Sequence, residues 1–269
     1  MQYDPIKRSL GKVFNRTPGL RKLFYRLLDL LLLRSWHIRR ELTQLKKEGF
    51  APEVIADAGS GFGQYVYYLS NKYPSSRISG LDIKQEQVDD CNAFFSRIGR
   101  ADRIAFEYAD LTALKIQDRF DLILCVDVME HIEEDRAVLK HFYKGLTPGG
   151  ILLISTPSDQ GGSDVHHEHE ASFIDEHVRD GYGVEDMEEK LREAGFSDIR
   201  IRYSYGRPGK ASWKLSMKYP IQLANISKLF LLLLPIYYLL TFPVSFLLNR
   251  ADVRNTHPTG TGLIVRCKK

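Results

Sequence analysis

After Gly49 the chain alternates short apolar runs with longer stretches whose apolar positions recur every three or four residues. The runs 54–58, 77–83, 103–108, 120–127 and 150–155 read as strands. The stretches between them, 63–72, 85–97 and 133–145, read as helices. Alternation at this pitch predicts a parallel sheet with helices on both faces. ILCV (123–126) and ILLIS (151–155) are unbroken apolar runs, as central parallel strands should be. A further amphipathic helix is expected over 184–194 and is stopped by Gly195. Two more strands are expected over 197–205 and 261–267.

Two segments fall outside this rhythm. Residues 20–47 read as one helix or two, with Leu20, Leu23, Phe24, Leu27 and Leu31 in a stripe. Arg21, Lys22, Arg26, Arg39 and Arg40 populate the other faces. Residues 229–248 hold no charge, although Pro235 and Pro243 interrupt them. By length this run qualifies as a transmembrane candidate. A single crossing would put strand 261–267 on the wrong side of the bilayer from strand 197–205. The expectation is therefore a re-entrant or interfacial hairpin, or a lid, broken by its prolines into short helices. Lys210, Lys214 and Lys218, with Trp213 and Tyr219, suit a headgroup layer just upstream.

Charge sharpens this. The first 47 residues carry 12 Lys/Arg against 3 Asp/Glu, a net +9 in a chain whose total is +4. A basic arm on an acidic body points to an anionic partner, membrane or nucleic acid. Cys91, Cys125 and Cys267 are scattered, without C-x-x-C pairing, and fit buried thiols in a reducing compartment. No export signal is evident in the apolar stretch 27–33.

The chemistry centres on VIADAGSGFGQY, residues 54–65. An apolar strand ends at Asp57, and Gly59, Gly61 and Gly63 follow at alternate positions. Such a turn brings bare backbone close to a ligand. The second strand ends at Asp82, where a carboxylate can accept both hydroxyls of a ribose. The third ends near Asp110 and the fourth at Asp127. Ligands of open α/β sheets bind at the carboxyl ends of strands, and four acids stand there together.

DAGSGFG, LDIK, YADL, FDLILCVDVMEHIEE and LTPGGILLISTPS together resemble the class I S-adenosylmethionine-dependent methyltransferases, over about residues 50–206 and the last strand. The resemblance implies a Rossmann-like seven-stranded sheet, mostly parallel with an antiparallel last strand. Here it would carry an N-terminal helical extension and a helical hydrophobic insertion. It implies that Gly59, Gly61 and Gly63 line the methionine moiety of the cofactor and that Asp57 faces its amino group. Asp82 would take the ribose, Asp110 with Leu111 the adenine edge, and Val126 with Asp127 the methionine end and the substrate. The implied reaction is an in-line displacement on a sulfonium methyl, in which positioning does most of the work. A hydroxyl acceptor would also need a base. The candidates are His131, His169 and His177, with His166 and His167 beside them in the HHEHE cluster. The segment is also similar to that of ubiquinone-pathway O-methyltransferases, in which an acid and a Glu-His pair hold a divalent metal. Asp127, Glu130 and His131 match it, with Asp in place of Glu. His166, Glu168 and His169 offer a second metal candidate. Neither is favoured over a metal-free site.

The expected organisation is a basic helical arm over 1–48, a cofactor domain over 49–207 plus 259–269, and an apolar insertion over 208–258. The expected enzyme methylates a hydrophobic, lipid-like, isoprenoid or aromatic small molecule on oxygen, at the inner face of the membrane in the cytoplasm. The alternatives are methylation of carbon on a similar acceptor, a nucleic-acid methyltransferase, and a non-catalytic membrane-surface adaptor. CVDV in the fourth strand, where amino-methylating base enzymes carry Asn/Asp-Pro-Pro-Tyr, argues against nucleic acid.

Overall fold

The computed structural model describes residues 17–161, 178–227 and 229–269. Its centre is a seven-stranded sheet: β1 (Val54–Ala58), β2 (Arg77–Asp82), β3 (Ile104–Tyr108), β4 (Phe120–Val126), β5 (Leu146–Pro157), β6 (Ser197–Ser204) and β7 (Gly262–Lys268). The spatial order is β3-β2-β1-β4-β5-β7-β6. All neighbours are parallel except β7, which runs antiparallel to both β5 and β6. The expected fold and strand set are observed, with β5 longer at both ends than its apolar run.

Successive side chains of a strand face opposite ways, so each strand feeds two cores. In β4, Phe120, Ile123 and Cys125 enter one core with Val138, Phe142 and Leu191, while Leu122 and Leu124 enter the other with Ile38, Leu69 and Phe95. The helices over the first core are α5 (Asp135–Gly145) and α6 (Val184–Ala194). Those over the second are α2 (Leu33–Lys47), α3 (Gln64–Lys72) and α4 (Gln85–Arg97). The three cysteines are buried and unpaired with one another.

The N-terminal segment is two helices. α1 (Pro18–Leu31) starts with proline in its first turn, and the Thr17 hydroxyl accepts from the Leu20 N–H at 3.3 Å. Leu32 takes an extended conformation and separates it from α2. The faces of α1 are inverted relative to the usual amphipathic rule. Arg21 is 2% exposed and Tyr25 is buried, whereas Leu20, Leu23, Leu27 and Leu30 lie on the surface. The reason is polar. The Arg21 guanidinium donates to the Asp90 carboxylate at 2.6 Å, to the Phe62 carbonyl at 2.9 Å and to the Tyr25 hydroxyl at 2.7 Å.

The apolar insertion also departs from expectation. Its prolines do not break it. α9 (Phe230–Arg254) runs through Pro235 and Pro243 as one 25-residue helix. It packs against a first arm made of α7 (Arg207–Trp213), a π-helical turn (Lys214–Lys218) and α8 (Tyr219–Ile226). The arms bind each other through polar groups. Tyr237 and Tyr238 hydroxyls donate to the Leu215 and Ser216 carbonyls at 2.6 and 2.8 Å, in the π-helical turn. The outer face of α9 stays apolar and exposed, through Leu232, Ile236, Leu239, Leu240, Val244 and Leu247. By length and composition it is the one helix among the described residues that qualifies as a membrane span. β6 and β7, which flank the hairpin, pair along one sheet, so both ends of the hairpin lie on the same side.

At the hairpin base, Asp252 is fully buried. Its carboxylate accepts from His37 Nε2 at 2.8 Å and from the Tyr205 and Gly209 N–H groups at 3.1 and 2.8 Å. It joins α2, the end of β6, α7 and α9.

Candidate active site

The turn after β1 is built from backbone. Gly59, Gly61 and Gly63 all have positive φ (77°, 48° and 75°). A Cβ on Gly59 would lie 2.2 Å from Val128 Cγ2, so only glycine lets the loop after β4 close on the turn. Gly59 and Ser60 donate to the Leu81 carbonyl at 2.8 and 3.0 Å. Asp82 completes the tie: its two oxygens accept from the Gly61 and Lys84 N–H groups at 2.8 and 2.9 Å. Its carboxylate is thereby fixed at the carboxyl end of β2.

A cleft of about 530 Å³ opens over these strand ends, lined by Gly59, Asp82, Asp110, Leu111, Asp127 and His131 among others. Six of the sequence-predicted positions therefore line one cleft. Asp110 caps the short helical turn Leu111–Ala113 by accepting from the Thr112 N–H and hydroxyl at 2.9 and 2.7 Å, which holds its carboxyl below the usual range. Val126 is half-buried at the end of β4. Asp57 lies beneath the turn, 1% exposed, with Oδ2 unpartnered among the described residues. Burial, then the Asp82 charge, pushes its carboxyl up to about 8, against the opposing Val66 N–H. The Ser60 hydroxyl is buried and unpartnered there as well. These atoms suit a ligand that brings a cation and donors to the turn.

A second polar group stands on the other side of Asp127. Asp127 has φ +53° and Tyr205 has φ +54°, conformations that cost a non-glycine residue about 1 kcal/mol or more. Arg34 of α2 ion-pairs with the Asp127 carboxylate, while its backbone N–H donates to the Tyr205 hydroxyl at 3.1 Å. Burial opposes the Arg34 charge, but Asp127, Tyr65 and Tyr205 outweigh it and raise its pKa. Tyr65 shares a 3.2 Å hydrogen bond with Ser35, and burial pushes the Tyr205 phenol up to about 12. Arg34, Tyr65 and Tyr205 went unnoticed in the sequence. Tyr65 closes the glycine motif but no motif marks Arg34 or Tyr205, and an arginine in a basic helix looks like any other.

The metal trio is not assembled. Glu130 turns inward, 1% exposed, and accepts from the Thr156 hydroxyl at 3.1 Å, while Asp127 is taken by Arg34. Among the described residues no three His, Cys, Asp or Glu side chains converge as a metal site. Burial and the Asp127 charge push the Glu130 carboxyl up to about 8. His131 is exposed on the cleft wall. His166, His167, Glu168, His169 and His177 lie outside the described residues.

Residues 55–150 match the methyltransferase-domain family. Phosphoethanolamine N-methyltransferase 1 of Triticum aestivum is 31% identical over 150 residues, which cover 55% of this chain and 29% of that protein. Malonyl-acyl-carrier-protein O-methyltransferase 2 of Ilyobacter polytropus is 26% identical, over 56% of this chain and 59% of its own. Phosphoethanolamine N-methyltransferase 2 of Haemonchus contortus, solved in complex with S-adenosyl-L-methionine, gives a TM-score of 0.60 at 18% identity, over 91% of this chain and 60% of that one. This chain spans less than a third of the length of the phosphoethanolamine enzymes it matches among curated proteins. The domain and the fold are those of the class I S-adenosylmethionine-dependent methyltransferases.

Proposed function

We propose that this chain, which carries a class I methyltransferase domain, transfers a methyl group from S-adenosylmethionine to the oxygen of a hydrophobic, lipid-like small molecule at a membrane surface. The observation that carries the cofactor half is the joint placement of the backbone-held Asp82 and the buried, unpartnered Asp57 oxygen beside the glycine turn. Asp82 accepts the ribose hydroxyls, Asp110 and Leu111 border the adenine, and the turn with Asp57 receives the methionine end and its ammonium. When bound, the cofactor supplies a methyl group already activated on a cationic sulfur.

The chain's own part is then to place the acceptor and take its proton. Arg34 fixes the Asp127 carboxylate beside the cleft. The cleft-lining His131 is the described group placed to hold or move that proton. His169 and His177 remain candidates of the same kind by sequence.

The acceptor class rests on the hairpin. A 25-residue helix that leaves its leucines in water calls for an apolar partner. Arg207, Lys210, Lys214 and Lys218 recur on the first arm at helical spacing, and Arg207, Lys210 and Lys214 are exposed. An apolar arm beside a cationic arm suits a hairpin lying in the interface. The phosphoethanolamine relatives favour a second reading in which the acceptor atom is nitrogen. Isotopically labelled S-adenosylmethionine incubated with the protein and a host lipid extract tests both. Mass spectrometry should find the label on an apolar product and identify the atom. Label only on water-soluble products would overturn the lipid-like acceptor.

A further inference from the structure

The hairpin is not alone in presenting leucines to solvent. Leu20, Leu23, Leu27 and Leu30 recur at intervals of three, four and three residues along α1, and each is more than a third exposed, Leu23 at 47%. Lys22 and Arg26 flank the row. Trp36 joins it to the hairpin: its indole N–H donates to the Leu30 carbonyl at 3.1 Å, and its ring meets Phe246 of α9 edge-on at 5.1 Å.

The opposite face of α1 touches the cofactor turn. Arg21 donates to the Phe62 carbonyl at 2.9 Å, and the Tyr25 hydroxyl donates to the same oxygen. Phe62 stands between Gly61 and Gly63. The guanidinium also lies 4.6 Å from the Phe94 ring centre and 3.0 Å from Cys91 Sγ, so it is anchored to α4 as well. One short helix therefore faces solvent with leucines and the ligand turn with an arginine and a tyrosine.

We infer that α1 docks on an anionic lipid bilayer and that this docking tightens cofactor binding. This rests on the reading of the glycine turn as the cofactor site. A 14-residue helix is marginal on its own in water, so α1 depends on what it touches. Lipid on the leucine row and cofactor under the turn both favour its docked, helical state. Two ligands that favour the same state raise each other's affinity. The charge selects the partner. The first 47 residues carry a net +9, which an anionic surface attracts and a second copy of the chain repels.

The test measures S-adenosylhomocysteine binding to the full chain by calorimetry. It is run without vesicles, with phosphatidylcholine vesicles, and with vesicles that also contain phosphatidylglycerol. The anionic vesicles should lower Kd about five-fold or more, a typical linkage. The double variant L23S/L27S should bind as wild type does in buffer and show no tightening with vesicles. Co-sedimentation of the wild type with anionic vesicles at unchanged Kd overturns this inference alone. So does a dimer in solution that fails to co-sediment. Absence of binding in every condition overturns the cofactor reading and this inference with it.

Discussion

Arg34 and Asp127 form an ion pair beside the cleft, joining the N-terminal helices to the left-handed residue that follows β4. The pair holds the strained Asp127 from one side while the glycine turn closes on Val128 from the other. In steady-state kinetics, Arg34→Met should lower kcat about ten- to hundred-fold, the worth of a hydrogen bond to a charged group. Cofactor affinity should change by less than about three-fold, because Arg34 does not line the cofactor cleft. Equal losses in both would make the pair a structural tie only.

Asp82→Ala removes the carboxylate that holds Gly61 and Lys84 and faces the cleft. Calorimetry should show S-adenosylmethionine binding weakened by about ten-fold or more. Unchanged affinity would sink the ribose assignment.

Asp57 gives the glycine turn a pH signature. Its carboxyl rises from an ordinary 3.8 to about 8 in the folded chain. The folded state thus holds this proton more tightly than the unfolded one. Its contribution is fully present below pH 4 and is lost as pH rises toward 8. Glu130, raised from 4.5 to about 8, acts in the same direction. Thermal unfolding of the cofactor-free protein should show stability falling across that window, and Asp57→Asn should flatten the fall. Binding of a cationic ligand should restore the carboxylate and release a proton near pH 7. Calorimetry in two buffers of different ionisation enthalpy would detect that release, and identical heats would contradict it.

His131→Ala probes the proton transfer. If His131 is the base, kcat should drop about hundred-fold or more while cofactor affinity holds. Wild-type turnover would shift the role to His169 or His177, and H169A is the next variant.

On the hairpin, L239E/L240E places two charges where the side chains are 75% and 71% exposed. Such surface changes should leave thermal stability within about 0.5 kcal/mol. Liposome co-sedimentation should fall several-fold. Undiminished co-sedimentation would assign the lipid contact to α1 and the basic arm.

The sheet and the cleft at its carboxyl edge are legible because their signals are local. Alternating apolar runs mark β1 to β5, and Gly59, Asp82 and Asp110 stand within a few residues of their strand ends. The antiparallel position of β7 followed from the family resemblance. What the sequence hid was long-range. The inward face of α1 is set by Arg21 reaching Asp90 and Phe62, partners 69 and 41 residues away, which no local pattern marks. Proline chemistry predicted a broken insertion. α9 is instead continuous and packs on the first arm, where the Tyr237 and Tyr238 hydroxyls donate to carbonyls 22 residues earlier. Arg34 and Tyr205 meet across 171 residues with no spacing to betray them.

The Asp252 knot at the root of the hairpin makes that element adjustable in one direction only. Ser204 and Gly262 are paired neighbours in the sheet, so the chain enters and leaves the hairpin at one doorway. Cutting at the root would take the Asp252 carboxylate from His37 Nε2 and from the Tyr205 N–H. Trimming matched turns from the far end leaves both in place, and each turn removed from α9 shortens it by about 5.4 Å. A ladder of such deletions is a gauge. It would read out how much apolar length liposome co-sedimentation requires, while the strand-end cleft remains the same.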